Sequence, residues 1–539
     1  MSEPRLGNVI TLLIPARSYK INCAWTKEKL MPGIEQFACR LLLIFDQLYP
    51  SELQSYFGLN DREREVLLDS LLANRLINVN PEGHVEASSF LRKHAATNEG
   101  KPSLVKYQEQ TEDVAFDLLT LSVCKPQQHR RLTSGLPELL PRDKLDADIS
   151  SITEAFSTQF RHHLMLSRNN DYERQRTQLY KVMGCSSNEM VQIPVDVEVS
   201  YNAVHNSTPQ KFTRSYERIG NNRIPLANDL EAHIADFLGE QLLDESGLNC
   251  TDYCHLVHDP VLEKFSNGYQ FDYSGWLEAR EKRNTGYGCN QTFGILGAVY
   301  LPDNAKRFIN ELKDALRMQD SSITPKAIWY SSDVPLWGAN SSLLARFNRD
   351  IGDILDNNCE TQGGRVTLLH SSKNNGESRL KRKQHLGRFA NGVSLSSEAQ
   401  FDRLELLLIP GVIGVVQYHG QPHMDSALTL PIGYVTTDPE RLQLLEFLLA
   451  KRINGATASV NWSDGKYDTL ATFLPDSLLI KLDKINPQNA ARLITPLLSF
   501  KRHIDERQLH VKAQLQRLAD LPDLSPDLFE KVSNALNGA

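Results

Sequence analysis

Cysteine and histidine recur at a helical spacing near the middle of the chain. Cys250, Cys254 and His258 follow one another every four residues, so on a helix they would share one face. Cys289, or alternatively His255, would complete the four ligands of a tetrahedral zinc site. The two-residue spacing that is usual between zinc-binding cysteines is missing, and buried cysteine commonly behaves as a small apolar residue. These side chains are the candidate zinc ligands, and no other cofactor is predicted.

The strongest electrostatic feature is a cationic segment at residues 365–388. It carries seven lysines and arginines and one acid, Glu377, with serines, asparagines and a glycine that favour a flexible loop. A mobile cationic loop at the end of a strand can neutralise phosphates, so we expect it to contact a DNA or RNA backbone. A solvated surface loop is the alternative. The seven candidate nucleic-acid-binding residues are Arg365, Lys373, Arg379, Lys381, Arg382, Lys383 and Arg388.

Several enzyme signatures are absent from the sequence. It has no Gly-x-x-x-x-Gly-Lys-Ser/Thr phosphate-binding loop and no Gly-x-Ser-x-Gly turn. The pair His419 and His423 has no acid at a useful spacing, and each is interpreted as a satisfied or exposed histidine. We therefore expect a binding subunit rather than an enzyme. If its process consumes ATP, the partner is a separate ATPase or helicase.

Composition places the chain among intracellular proteins. The 539 residues include 59 Lys and Arg against 66 Asp and Glu, a net charge of -7, so any nucleic-acid contact must be local. The eight cysteines lack the paired spacing of secreted proteins, which fits a reducing cytoplasm. The longest apolar run, residues 406–416, is interrupted by Pro410 and too short to span a bilayer. We expect a cytoplasmic protein with no membrane partner.

Residues 38–92 show the clearest secondary-structure pattern in the sequence. A leucine-rich helix at residues 38–48 precedes a short helix after Ser51, and a third begins at Asn60 with Glu63 in position for a capping box. Alternating residues 76–79, a Pro-Glu-Gly turn and residues 85–87 then predict a hairpin. Helix, helix, helix and hairpin in this order resemble the winged-helix superfamily.

The third helix of this unit is too acidic for a simple reader of DNA. A helix in the major groove needs Arg, Lys, Asn or Gln facing the bases and cations near the phosphates. Four acids here outnumber three arginines, so we expect protein docking or a scaffold role more than base reading. The acids are Asp61, Glu63, Glu65 and Asp69, and the arginines are Arg62, Arg64 and Arg75.

The rest of the chain predicts a multidomain α/β protein. Helices are expected to dominate residues 109–183, including one at residues 152–181, and residues 195–201 alternate as a strand. From residue 293 strands and helices alternate, and residues 404–409 are expected to end a helix. The predicted units are a winged-helix domain at 1–100, a mixed α and β region at 101–290, an α/β domain at 291–455 and a helical region at 456–539.

The order of elements in residues 326–453 resembles one half of a phospholipase D-type domain. That family carries His-x-Lys on a strand, and the histidine attacks a phosphodiester beside the lysine cation. The comparable residues here are His423-Met424-Asp425, where an aspartate replaces the lysine, while His370 and Lys373 are one residue too far apart. The resemblance implies a degenerate domain. Its candidate catalytic residues are His370, Lys373 and His423.

These features together predict a non-catalytic subunit of a bacterial multi-component machine. The winged helix would dock a protein partner encoded nearby, and the cationic segment would hold a nucleic-acid backbone. Uncharacterised chains that pair such modules are often part of anti-phage defence, which is the expected process by association of folds alone. The alternatives are a phospholipase D-type nuclease and a winged-helix transcription regulator.

Overall fold

The computed structural model has three parts: a small helical unit, a long-stranded antiparallel sheet, and an eight-stranded mixed sheet with helices on both faces. The predicted multidomain α/β class is confirmed. The structure describes residues 5–29, 31–97, 104–124, 134–140, 147–168, 174–175, 177–201, 211–214, 218–219, 222–223, 228–241, 243, 247–268, 270–318, 325–340, 342–357, 365–422, 428–465, 468–498 and 505–537.

The small unit follows the first strand, β1 (Arg5–Lys29). The Asn60 side chain accepts from the Glu63 amide at 2.8 Å, and the Glu63 carboxylate accepts from the Asn60 amide at 2.9 Å, which is the predicted capping box. Leucines of the helices and the small sheet share one core. The predicted order of three helices and a hairpin is confirmed. The elements are α1 (Gly33–Ile44), β2 (Gln47–Leu48), α2 (Pro50–Phe57), α3 (Asp61–Ala73), β3 (Ile77–Val79), β4 (Val85–Ala87) and α4 (Ser89–Thr97).

The second part is a five-stranded antiparallel sheet in which β1 is the central strand. Because β1 pairs with residues 104–117 and 177–201, the predicted unit 1–100 does not hold together as one domain. The helices expected across residues 109–183 are present only in part: the helix predicted at 152–181 is observed at Ile149–Ser167, whereas residues 109–117 and 177–183 are strands. For those strands, pairing with β1 outweighs local helix preference. The elements are β5 (Leu104–Asp117), β6 (Val123–Cys124), α5 (Ile149–Ser167), β7 (Thr177–Tyr201), β8 (Lys211–Arg214), β9 (Arg218–Ile219), β10 (Asn222–Arg223) and α6 (Asn228–Gly239).

The third part is built on the eight-stranded sheet. The alternation predicted from residue 293 is confirmed, but residues 404–409 form a strand that pairs on both sides and not the end of a helix. Residues 458–462 also join this sheet, so the predicted boundary at 455 cuts through it. The elements are α7 (Cys250–Leu256), α8 (Pro260–Glu263), β11 (Ser266–Asn267), β12 (Gln270–Phe271), α9 (Tyr273–Glu281), β13 (Thr292–Leu296), α10 (Pro302–Arg317), β14 (Ala327–Tyr330), α11 (Leu343–Asn357), β15 (Val366–Ser372), α12 (Asn375–His385), β16 (Asn391–Ser396), a 3-10 turn (Ala399–Phe401), β17 (Leu404–Ile409), β18 (Ile413–Gly420), β19 (Leu430–Thr436), α13 (Pro439–Asn454) and β20 (Ala458–Trp462).

This sheet runs in the order β13-β19-β18-β17-β14-β15-β16-β20, and β14, β15 and β16 are parallel. Both faces are buried, as the near-continuous apolar strands require. On one face Trp329, Leu407 and Val415 pack against Phe308 and Phe347 of α10 and α11. The opposite face, with residues such as Leu406, packs against α7, α9 and α13.

The helical tail is confirmed, and it extends the second of these cores. Apolar residues of the tail and of the sheet belong to one continuous cluster. Among the described helices of the whole chain, none has the length and apolar content needed to cross a lipid bilayer. The tail helices are α14 (Leu470–Phe473), α15 (Asp476–Ile485), α16 (Pro487–Leu498), α17 (Asp505–Ala519) and α18 (Pro526–Asn537).

Two leucines of α17 test whether the tail is part of this core. Leu515 is fully buried and Leu509 is 72% exposed. We expect Leu515→Ala to lower the free energy of unfolding by about 2–5 kcal/mol because it leaves a cavity, and Leu509→Ala to change it by less than about 0.5 kcal/mol. Urea unfolding followed by circular dichroism measures both. Equal effects of the two substitutions would contradict the shared core.

Candidate functional site

Polar side chains concentrate along one edge of the eight-stranded sheet. β14 and β15 end there, and because β17 runs antiparallel to β14, its first residues lie at the same edge, as does the end of β18. Ligands of open α/β sheets bind outside the carboxyl ends of the parallel strands. The buried polar residues at this edge are His370, Ser371, Ser372, Arg403, Glu405, His419 and Thr429.

Three of them form a continuous hydrogen-bonded cluster. His419 Nε2 lies 2.5 Å from Oε2 of Glu405, and His419 Nδ1 lies 3.1 Å from Oγ1 of Thr429. The indole N–H of Trp329 donates to the other carboxylate oxygen of Glu405 at 2.8 Å. Glu405 and His419 are each 3% exposed and Thr429 is 6% exposed. A hydroxyl, an imidazole and a carboxylate in this order form the arrangement of a nucleophile, its base and the group that orients the base.

The strands determine this geometry. Glu405 pairs with Gln417 across β17 and β18, so His419 lies two positions further along the same face. Thr429 immediately precedes β19, whose Leu430 pairs with Gly420 next to His419. A carboxylate only accepts hydrogen bonds, so Nε2 of His419 carries the proton and Nδ1 accepts from the threonine hydroxyl.

A cavity of about 10 Å³ lies beside the cluster, close to the least that holds one water molecule. Residues 334–337 form part of its wall and also line a larger crevice of about 510 Å³. The wall between the two spaces is therefore a short segment that follows β14.

Two of the predicted catalytic residues, His370 and Lys373, lie in different environments. His370 is buried on β15, where its ring stacks on Trp462 at 5.7 Å and its Nε2 lies 3.0 Å from the Asn461 amide. Burial lowers the pKa of His370 to about 4, so the imidazole is neutral near pH 7. Lys373 is exposed after the strand. His423 lies outside the described residues.

The cationic segment is ordered, which corrects the expectation of a flexible loop. It comprises β15 and α12, and the Asn374 side chain caps α12 by accepting from the Glu377 amide at 3.0 Å. Arg365 pairs with Asp464 at 2.6 Å, and Lys381 pairs with Asp333 at 3.1 Å. Arg388 is buried, at 5% exposure. Five of the seven predicted cations are exposed to solvent: Arg365, Lys373, Arg379, Arg382 and Lys383.

The predicted zinc ligands do not converge. Cys250 and Cys254 are buried on α7, and their mutual hydrogen bond and burial raise the pKa of the Cys254 thiol well above its usual value. His258 lies beyond the end of the helix at positive φ and is exposed, as are His255 and Cys289. In the parts of the chain that the structure describes, no group of three His, Cys, Asp or Glu side chains is placed to hold a metal ion.

Sequence reasoning missed Glu405 and Thr429 and set His419 aside. The acid of His419 lies fourteen positions upstream, on a neighbouring strand, so a search for nearby acids does not find it. The available signal was the buried strand itself: a Glu within Leu-Glu-Leu-Leu-Leu-Ile must find a partner when the strand is covered on both faces.

One family and several curated proteins match short parts of the chain. A family described as "Domain of unknown function (DUF3458_C) ARM repeats" matches residues 467–537. Aminopeptidase N of Haemophilus influenzae is 52% identical over 64 residues, and that of Escherichia coli is 46% identical over 59 residues. These matches cover 12% and 11% of this chain and 7% of each relative. The chain thus spans a small fraction of the length of these curated relatives.

Two further comparisons are broader and weaker. Aminopeptidase N of Caulobacter vibrioides is 32% identical over 114 residues, which is 20% of this chain and 12% of that protein. The solved structure of TrmBL2, an archaeal chromatin protein, is 10% identical with a TM-score of 0.20, over 79% of this chain and 94% of that one. A TM-score that low carries no statement about the fold.

These matches correct the predicted function. The sequence predicted a non-catalytic nucleic-acid-binding subunit of a defence machine, with a phospholipase D-type nuclease and a transcription regulator as alternatives. The relatives are instead named aminopeptidases, and the matching family covers residues 467–537. The defence, DNA-binding, nuclease and regulatory interpretations are therefore wrong, although the helical unit that suggested some of them is present.

His370 predicts a loss of stability in acid. Its pKa is about 4 in the folded chain against 6.5 ordinarily, so the unfolded chain binds the extra proton first as the pH falls from 6.5 to 4. The free energy of unfolding should drop over that window, by up to about 3 kcal/mol from this group. We expect His370→Gln to flatten the pH dependence, measured by urea unfolding at several pH values. The exposed His255→Gln is the control, and an unchanged slope in His370→Gln would refute the assignment.

Proposed function

We propose that the chain is a hydrolase of amide or ester bonds in which Thr429, His419 and Glu405 act together. The observation that carries the proposal is the buried hydrogen-bonded series from the Thr429 hydroxyl through both ring nitrogens of His419 to Glu405. Such a series activates a hydroxyl that is a weak nucleophile on its own.

Each group has one role. Thr429 Oγ1 attacks the substrate carbonyl carbon while its proton passes to Nδ1 of His419, and Glu405 stabilises the imidazolium that forms. The imidazolium then gives that proton to the leaving amine or alcohol as the bond to the carbonyl carbon breaks. Water attacks the acyl-threonine in the same manner, which releases the acid and restores the hydroxyl. A substrate reaches Thr429 when residues 334–337 shift, because they separate the cluster from the larger crevice.

The comparisons support peptides as the substrate class. The relatives are named aminopeptidases. The helices that the matching family covers share a hydrophobic core with the sheet that carries the cluster. The sequence contains no His-Glu-x-x-His, the spacing with which helical metalloproteases bind zinc, so this proposal uses a hydroxyl nucleophile instead.

The proposed compartment is the cytoplasm. All seven cysteines within the described residues are free thiols, which suits a reducing environment. Protein partners encoded nearby remain a prediction.

Substitutions at the cluster test the proposal. We expect Thr429→Val, which keeps the volume and removes the hydroxyl, to lower kcat on amino-acid p-nitroanilides and p-nitrophenyl esters at least about 100-fold. His419→Asn should have a similar effect, whereas Thr429→Ser should retain activity. Steady-state kinetics on the purified full chain measure each variant.

The matched control is Thr436→Val, a buried threonine at the other end of β19 whose hydroxyl lies 2.7 Å from that of Thr292. This variant should keep the wild-type kcat. Unchanged hydrolysis in Thr429→Val would refute the proposal. It would also be refuted if the wild-type chain hydrolysed neither substrate and Thr429 were neither phosphonylated by a fluorophosphonate nor acylated by a β-lactone.

A further inference from the structure

The larger crevice lies where the parts of the molecule meet. α12 and the segment after β14 form one side, and α6 and residues 135–137 form the other. Gly135 adopts a φ of 72°, and a Cβ on it would lie 2.2 Å from the carbonyl oxygen of Lys383, so the chain passes here in close contact with α12. Pockets at such junctions commonly bind small molecules.

Arg388 is held rigidly in the wall of this crevice. Its Nε donates to the carbonyl of Asn340 at 2.8 Å, and its Nη1 donates to the carbonyls of Ser134 and Gln384. Nη2 has no hydrogen-bond partner among the residues that the structure describes. Burial lowers the pKa of Arg388 only to about 10, so the guanidinium is charged at neutral pH. All the described acceptors of Arg388 are carbonyl oxygens, so within the described residues no carboxylate balances its charge.

His385 adds a second unsatisfied group. It is 3% exposed, and within the described part of the chain its Nδ1 has no partner. Burial, with Lys381 and Arg388 nearby, holds the pKa of His385 well below its usual value. The ring is therefore neutral and can donate one hydrogen bond without adding charge.

The acids of the crevice already have protein donors. Asp333 pairs with Lys381 at 3.1 Å, Glu377 accepts from the Lys373 amide at 2.7 Å, and Asp402 accepts from the Leu248 amide at 2.8 Å. The ammonium group of Lys373 and Nη2 of Arg388 are not engaged in those contacts. The crevice is consequently arranged to receive negative charge.

We propose that this crevice binds a small molecule through an oxyanion, a carboxylate or a phosphate monoester, which contacts Arg388 with Lys381 and Lys373 at its rim. The negative charge of the anion balances the charge of the buried guanidinium, and the lysine ammonium groups supply charge-assisted hydrogen bonds. This binding goes beyond the hydrolase proposal and does not depend on it. If both hold, the crevice takes the anionic end of the substrate.

The test is calorimetry on the full-length chain at constant ionic strength, with three probes: N-acetyl-dialanine, its C-terminal amide, and inorganic phosphate. We expect one of the two anions to bind and the uncharged amide to fail. Binding of the dipeptide acid identifies a carboxylate ligand, and preferential binding of phosphate identifies a phosphate ester. If neither the dipeptide acid nor phosphate binds at millimolar concentration, the proposal is wrong.

Substitutions of two lysines distinguish anion binding in the crevice from general attraction to the exposed charges of α12. Lys381→Met should weaken binding of the anion at least about 10-fold, whereas Lys383→Met, the same substitution at an exposed position of the same helix, should leave it unchanged. Arg388→Met should abolish binding, and circular dichroism establishes whether that variant is folded. If Arg388→Met is not folded, the comparison of Lys381→Met with Lys383→Met tests the proposal. Equal weakening by both lysine substitutions would mean general attraction to a basic helix and would refute the site.

The binding measurements on the wild-type chain and on the variants do not depend on catalysis. Loss of hydrolysis in Thr429→Val with intact anion binding would support both proposals, and anion binding by a chain that hydrolyses nothing would leave the crevice assignment standing alone.

Discussion

Burial of both faces of the eight-stranded sheet is the constraint on which the rest of the structure depends. A polar side chain on such a strand has no access to water and must find a partner within the protein. Glu405 meets this need through His419 and Trp329. On the opposite face Arg452, 1% exposed, contacts Glu398 at 3.1 Å and Tyr330 at 3.2 Å. The buried polar groups at the sheet are therefore held in fixed positions by hydrogen bonds. Fixed positions are also what catalytic groups require.

The two faces have different roles. The helices of residues 467–537, which the matching family covers, pack on the face with Leu406, whereas Glu405 projects to the other. The family match thus concerns helices that cover the sheet, and the groups of the proposed site come from strands outside that match.

The parts of the fold that local pattern determines could be predicted from sequence. The Asn60 capping box, the helices of the tail and the alternation after residue 293 depend on neighbours in the chain. The strands β7 and β17 could not be predicted in this way, because a strand acquires its stability from partners far away in sequence. The candidate site was missed for the same reason, since Glu405, His419 and Thr429 are brought together by strand pairing. Charge counting located the crevice only in part: Lys373, Lys381 and Arg388 line it, while the other four cations of the segment do not.

The central position of β1 has a consequence for synthesis. Arg5 pairs with Tyr201, so β1 cannot complete its sheet until about 200 further residues have been synthesised. During that interval an apolar segment, which includes Val9 to Ile14 in the finished core, stays exposed and prone to aggregation. Contacts this distant in sequence slow folding. Expression yield should accordingly respond to translation speed and chaperone supply more than the modest hydropathy of the chain suggests.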